Sequence, residues 1–393
     1  MDIAKLKMKR NEERRVQRGH PWIFSNELEP VIPPPVVGSL VDVQSAKGAF
    51  VGRGFYHPHS LIAVRVLANE PLEIDERFFE KRIEAAFLLR KRLYPSSHVY
   101  RLVFGESDRL PGLVIDRYGD YFAIQFLSAG MELRKDVVVT VLRKIFEPKG
   151  IVIRNESHLR ELEGLKVEGN EVIEGTVPAA VEIKINGVAY EIALEGGQKT
   201  GFFLDQRDNR EAIEPFCSGA QVLDVFSYSG AFGLTAMKYG ASRVVFVDQS
   251  QPALDAVKRN VVLNGFQAEN ECVNTNGTQL LEQVALSEQR FDLIMVDPPA
   301  FARSKKHLPK AIKSYEKLNS LAIKSVKSGG IVATSSCSHH LERGAFFGML
   351  RTAAQKVNKT VKVLHVGGQS ADHPILLAMP ETDYLKFAIL QIQ

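Results

Sequence analysis

Three side chains in the second half of the chain have the types and placement that chemistry needs: Asp248, Asp297 and Cys337. Each closes a short apolar run, Arg243 to Val247, Phe291 to Val296 and Ile331 to Ser336 respectively. An acid at the end of the second strand of a nucleotide-binding unit can accept from both ribose hydroxyls. Pro298 and Pro299 follow Asp297, remove two backbone donors and stiffen the turn, so that the carboxyl group can direct a flat ring. Cys337 lies in Ser335-Ser336-Cys337-Ser338-His339-His340, a polar surround suited to a reactive thiolate. A thiolate that adds at C6 of a pyrimidine makes C5 enamine-like and able to take a methyl group, which splits one hard step into easier ones. Taken singly, the same residues read as a strand terminator and a small buried hydrophobe.

These groups need elements to hold them, and the central one is residues 221–250. Val222 to Phe226 is a strand-forming run, Ser227-Tyr228-Ser229-Gly230 a turn that lets backbone approach a ligand, and residues 231–239 a helix that Gly240 stops. Asp248 follows Asp224 at close to the ~20-residue spacing of a ribose-binding acid. The turn does not match the glycine fingerprint that a pyrophosphate requires. S-adenosylmethionine has ribose and adenine but no phosphate, so it suits a turn of hydroxyls and one aromatic; NAD, or no ligand, is the competing reading. Beyond Asp248 the alternation of helix and strand stays regular, with Gly329-Gly330 turning into the fifth strand. The expected class is α/β, a Rossmann-like doubly wound sheet whose ligands bind beyond the carboxyl ends of its strands. The cofactor candidates are Asp224, Phe226, Tyr228, Ser229, Gly230, Asp248, Gln249, Asn276 and Asp297, with Arg207 suited to a carboxylate by its guanidinium fork.

The chain has 393 residues, enough for two or three domains, and its composition is globular with a net charge of only +4. No apolar run is long enough to span a membrane, and the charged N-terminus does not resemble a signal peptide, so a cytoplasmic protein is expected. Three cysteines without close pairing argue against disulfides or zinc, and His339 and His340 point to opposite faces of an extended segment, so no metal is expected. Basic residues cluster at Lys5 to Arg18 and at Arg303 to Lys313, which fits either a solvated face or nucleic-acid phosphates. Arg303, Lys305 and Lys306 follow Phe301 closely, so they could grip phosphates flanking a base on which Phe301 stacks. Three regions are expected: a small β-barrel over residues 1–70, an α+β middle region over 71–185, and the Rossmann-like region over 186–393. A homodimer is left open.

RGHPWIFSNE and VGRGFYHPHS near the N-terminus, VFGESDRLPGLVIDRYGDY in the middle, and GQKTGFFLDQR, DVFSYSGAFGL, VDQS, DPPAF and SSCSHH thereafter resemble, in order and spacing, the PUA-domain-linked ribosomal RNA cytosine-5 methyltransferases. The resemblance covers essentially the whole chain. It implies an RNA-binding PUA domain, S-adenosylmethionine as methyl donor, large-subunit ribosomal RNA as partner, Cys337 as nucleophile and Asp297 as substrate carboxylate. Two departures stand out. Asn276 stands where relatives usually have an aspartate that accepts from the adenine amino group, a bond an asparagine carbonyl could also accept. Ala300 stands where some RNA cytosine-5 methyltransferases carry a second cysteine that assists release. Uracil C5, an exocyclic amine, or an RNA-binding assembly factor with a vestigial site are the alternatives.

Overall fold

The structure is a computed structural model that describes residues 3–194, 201–302 and 304–393. Its contacts divide the chain into two compact units. The first takes the described residues of Met1–Val181, Ile192–Leu204 and Asp372–Thr382; the second takes Glu182–Glu191, Asp205–Ala371 and Asp383–Gln393.

The first unit begins with β1 (Ala4–Lys7), α1 (Glu13–Gln17), β2 (Trp22–Phe24), β3 (Leu40–Gln44), β4 (Phe50–Tyr56) and β5 (Ile62–Ala68), whose strands form a sheet in the order β1-β3-β4-β5-β2. A bridge between Met8 and Leu28, with the Lys9 amide donating to the Glu27 carbonyl, joins the two edges. The alternation of Val41, Val43, Val64 and Val66 supplies its core. Next come α2 (Glu76–Leu93), β6 (Val99–Phe104), β7 (Leu113–Tyr118), β8 (Tyr121–Phe126), α3 (Ala129–Glu132), α4 (Lys135–Phe146), β9 (Gly150–Ile153) and β10 (Glu171–Gly175), with a sheet ordered β10-β9-β8-β7-β6. The two sheets fall in one unit because Phe55, Leu67 and Ala68 of the first pack into the core of the second. Buried charge reinforces the junction: Arg65 reaches Glu106 at 3.0 Å and Glu163 at 2.9 Å, and Trp22 Nε1 donates to Glu106 at 2.8 Å. Residues Asp372–Thr382 join this unit, far from their sequence neighbours, because the Asp372 carboxylate accepts from the Arg101 amide at 2.9 Å and its carbonyl accepts from buried Arg90 at 2.8 Å.

The hairpin β11 (Val181–Ile185) and β12 (Val188–Ile192) turns at Asn186-Gly187, both at positive φ. The second unit then runs α5 (Arg207–Glu211), β13 (Gln221–Val225), α6 (Ala231–Lys238), β14 (Arg243–Asp248), α7 (Gln251–Asn264), β15 (Glu269–Asn274), α8 (Gly277–Leu286), β16 (Phe291–Val296), α9 (Leu308–Ser325), β17 (Val326–Ser336), α10 (Arg343–Lys356), β18 (Val361–Gly367) and β19 (Lys386–Ile392). Among the described residues these strands form one sheet in the order β15-β14-β13-β16-β17-β19-β18. The first five run parallel, and β19 lies antiparallel between β17 and β18. Buried on both faces, β13, β14 and β16 are near-continuous apolar runs, as parallel strands with helices on both sides must be. One detail differs from the sequence expectation. Gly329-Gly330 is not a turn before the fifth strand but a register shift inside β17, because Val326 already pairs with Phe291.

Gly233 shows how tightly α6 sits on the sheet. A Cβ there would lie 2.2 Å from Cε1 of Phe246, a ring with no exposure on β14. Alanine would gain helix propensity of ~1 kcal/mol, but a buried ring on a central strand has little room to yield. Overpacking of this kind costs about 1–3 kcal/mol. Gly233→Ala is therefore expected to lower the urea midpoint of the second unit, read by far-ultraviolet circular dichroism.

Candidate active site

The parallel strands put their carboxyl ends at one edge. Val225 is level with Val247 and Val296, and Val296 is level with Thr334, so the residues that follow β13, β14, β16 and β17 converge. All the groups described next belong to the second unit.

The turn after β13 is wound in the left-handed region at three alternate positions: Phe226 (φ 65°), Tyr228 (φ 48°) and Gly230 (φ 82°). Two non-glycine residues there cost of order 1 kcal/mol each, so the surroundings must impose the shape. They do so with acids. Asp224 Oδ2 accepts from the Gly233 amide at 2.8 Å, and Asp248 Oδ2 accepts from the Tyr228 amide at 2.9 Å. The Ser229 carbonyl accepts from Asn260 at 3.3 Å. Gly277 lets α8 approach, since a Cβ would stand 2.5 Å from Val225. Inside the turn, buried Ser227 Oγ has no hydrogen-bond partner among the described residues, an orphaned hydroxyl of the kind a bound ligand satisfies.

Three of the cofactor candidates have roles that the sequence did not show. Asp224 is only 1% exposed, so its carboxyl group shapes the turn from within and presents no surface to a ligand. Burial, and to a lesser degree the charges of Asp297 and Asp248, push it up to about 7 against the Gly233 hydrogen bond. Asn276 caps α8: its Oδ1 accepts from the amides of Thr278 at 2.9 Å and Gln279 at 3.2 Å. An aspartate could cap with one oxygen and accept an amino group with the other. The asparagine has one oxygen, committed to the helix, and its remaining atom is a donor, which suits a ring nitrogen instead. Asp248 also helps build the loop, since Oδ1 accepts from the Ser250 amide at 2.8 Å, but each carboxylate oxygen keeps a second lone pair for a hydroxyl. Gln249 beside it is exposed.

Asp297, half-buried at the end of β16, accepts on Oδ1 from Ser335 Oγ on β17 and from Gln206 Nε2 at 3.0 Å. Gln206 is held in turn: its Oε1 accepts from Asn209 at 2.6 Å. Arg207 opens α5 at 1% exposure, and its neighbour Arg210, whose pKa burial lowers, feels the charges of Arg207, Asp205 and Asp297. Arg207 and Asp297 thus share one cluster, tied by Gln206 and Ser335.

Cys337 follows the last residue of β17 and is half-buried. It lies two residues after Ser335, which holds Asp297, so thiol and carboxyl group follow adjoining strand ends. Its loop is pinned from two elements. Tyr315 of α9, fully buried, hydrogen-bonds Ser338 Oγ at 3.0 Å and accepts from the Phe301 amide at 3.4 Å; Ser338 Oγ also accepts from the Ala302 amide at 3.2 Å. From β19, Lys386 Nζ donates to the carbonyls of Ser338 and Tyr384, both at 2.7 Å. Phe301 lays its ring on Tyr315, with centroids 4.6 Å apart, so one of its faces is used to anchor the Asp297 loop and is closed to a base. Lys305 and Lys306 are exposed; Arg303 lies outside the described residues. Among the described residues no three His, Cys, Asp or Glu side chains gather to hold a metal, and no helix is long and apolar enough to cross a membrane. Tyr315 and Lys386 were missed by sequence reasoning; the one available signal was a lysine opening the largely apolar run Lys386 to Ile392.

The raised Asp224 gives a sign that can be checked. Because its folded pKa exceeds the unfolded value, the folded state holds an extra proton between about pH 4 and 7, and stability falls as pH rises through that window. Asp224→Asn keeps the acceptor for Gly233. Its stability relative to the wild type is expected to rise from about pH 4 to 7, measured as the difference in urea midpoints.

The chain's relatives agree with this architecture. Residues 6–69 match the family described as PUA-like domain, and residues 209–363 match the family described as conserved hypothetical protein 95. A protein of Photobacterium profundum named ribosomal RNA large subunit methyltransferase I is 40% identical over 382 residues, covering 96% of both chains. A protein of the same name from Vibrio vulnificus is 39% identical over 389 residues and covers 98% of each. Among solved structures, a putative SAM-dependent methyltransferase from Streptococcus mutans superposes with a TM-score of 0.85 at 20% identity, over 99% of this chain and 100% of that one. A putative methyltransferase complexed with SAH gives 0.86 at 21% identity over the same shares. The fold is therefore that of SAM-dependent methyltransferases preceded by a PUA-like region, and the chain belongs to the ribosomal RNA large subunit methyltransferase I family.

Proposed function

We propose that the chain forms 5-methylcytosine in ribosomal RNA, with S-adenosylmethionine as methyl donor and Cys337 as a covalent nucleophile. The names of its relatives support ribosomal RNA as substrate. The observation that carries the chemistry is the placement of a thiol at the end of β17 beside a carboxyl group at the end of β16 that a β17 serine holds. In this reading residues 1–70 are an RNA-binding PUA domain and residues 71–185 a central domain that helps shape the RNA path.

The cofactor fits the turn: an orphaned Ser227 hydroxyl, backbone curved by Phe226, Tyr228 and Gly230, and an acid with lone pairs to spare. Asp248 would hold the ribose hydroxyls, Asn276 a ring nitrogen of adenine, and Arg207 the methionine carboxylate, with Ser229 and Gln249 lining the pocket. Bound there, S-adenosylmethionine supplies an electrophilic methyl group. The Cys337 thiolate would add at C6 of cytosine, and the π pair of the C5–C6 bond becomes available at C5, which would take the methyl group as the donor's sulfur–methyl bond breaks and its electron pair returns to the sulfur, leaving a neutral thioether. Asp297 in its protonated form donates near N3 and stabilises the adduct. A base then removes the C5 proton, the C5–C6 double bond returns and the thiolate leaves. Lys305 and Lys306 would grip phosphates beside a base that must first leave its stack.

A tritium-transfer assay tests the chemistry. Labelled cofactor and unmodified ribosomal RNA with wild-type protein should put label in 5-methylcytosine, and Cys337→Ala should lose it. Label in uracil C5 or in an exocyclic amine, or label surviving in Cys337→Ala, would overturn the reading. Replacing Lys305 and Lys306 by glutamine should weaken RNA binding and flatten the slope of log affinity against log salt by about 1 per lost phosphate contact, measured by filter binding.

A further inference from the structure

We propose that Lys386 is the positioning residue that keeps the Cys337 side chain ionised, a proposal that rests on Cys337 being the nucleophile. Lys386 opens β19 opposite Ser336, so its side chain starts level with the end of β17. It is 2% exposed. A buried ammonium ion is costly unless a counter-charge or enough hydrogen bonds compensate it. Two of its three donors go to the carbonyls of Ser338 and Tyr384. Those are neutral acceptors. Among the described residues no carboxylate lies within ion-pair distance of Lys386.

The groups facing the lysine come from three elements. Asp383, just before β19, is already matched by Arg343 of α10 at 3.5 Å, so the two largely cancel. Tyr315 of α9 reaches the same loop through Ser338, and burial pushes its hydroxyl up, so it stays neutral. His339 stacks on Tyr384 at 5.2 Å between centroids. That leaves the Cys337 sulfur, one residue before the carbonyl that Lys386 grips, as the group able to carry the balancing negative charge. Burial lowers Lys386 to about 8, and the Cys337 charge acts on it in the opposite sense. The same attraction acts on the thiol: a fixed cation nearby favours thiolate and lowers the pH at which the proton leaves. The lysine does two things with one charge. It fixes the loop by its hydrogen bonds and it makes the sulfur nucleophilic before substrate arrives.

The test reads the thiol directly and needs no RNA. Full-length protein is treated with iodoacetamide across a pH series, and alkylation of Cys337 is followed by peptide mass mapping, which separates it from Cys217 and Cys272. The wild-type midpoint is expected at least about one unit below the ~8.5 of an ordinary thiol. Lys386→Met should raise it by about one unit or more, so that alkylation at pH 7 slows about tenfold. Lys386→Arg, which keeps the charge, should retain the low midpoint. A wild-type midpoint at or above the ordinary value overturns the proposal whether or not the methionine variant folds, as does a Lys386→Met variant that folds and keeps the wild-type midpoint. Methyl transfer surviving in Cys337→Ala would instead remove the nucleophile reading, and the midpoint measurement is independent of that outcome.

Discussion

The site depends on the register that brings β13, β16 and β17 level at their carboxyl ends. Parallel strands buried on both faces cannot slip without turning every side chain to the opposite face, so the register is strongly fixed. Everything chemical follows from it. Val225, Val296 and Ser336 end at one edge, and the chain beyond each must turn there. The Asp297 carboxyl group then completes a tie across three segments, since Ser335 of β17 and Gln206 ahead of α5 both donate to one of its oxygens.

A second constraint is that this edge gathers several buried polar groups. Asp224, Ser227, Ser229, Ser335, Ser336, Ser338 and Lys386 are all below a tenth exposed. Four are bonded by backbone: Asp224 by the Gly233 amide, Ser336 by the Ser338 amide, Ser338 by the Ala302 amide, and Lys386 by two carbonyls. Such networks rigidify the loops they join, because losing one partner leaves another buried group unpaired. The loops of the site are thereby held by Asp224, Ser338 and Lys386 through backbone groups.

Much of this was legible in the sequence, and the remainder has definite physical reasons. The strand-turn-helix-strand unit, the acids at strand ends and Cys337 follow from periodicity and position alone. The direction in which Asp224 points does not, because an acid near a strand end reads alike whether it faces the ligand or the helix behind it. That Asn276 caps α8 is hidden too, because capping depends on backbone geometry that a one-letter pattern does not carry. Tyr315 and Lys386 were invisible because their partners lie on other elements, brought close only by the packing of α9 and the insertion of β19 next to β17. The attachment of Asp372–Thr382 to the first unit likewise rests on Arg90 and Arg101, far away in sequence.

The three cysteines make the argument about charge in one molecule. Cys217 is buried, donates to the Ile213 carbonyl at 3.2 Å, and its thiol is pushed up to about 12, chiefly by burial and further by the charge of Glu214. Cys272, on the edge strand β15, is raised for the same first reason, with Lys258 pulling the other way. Cys337 alone sits beside a cation that is itself shielded from water. A charge in that position acts through a lower effective dielectric than a surface lysine does, so its influence on the neighbouring sulfur is larger and less screened by salt. The sulfur keeps some exposure, while the lysine is almost wholly buried. In the proposed mechanism the nucleophile needs access and its activator rigidity, and antiparallel β19 beside the end of β17 offers the second without obstructing the first.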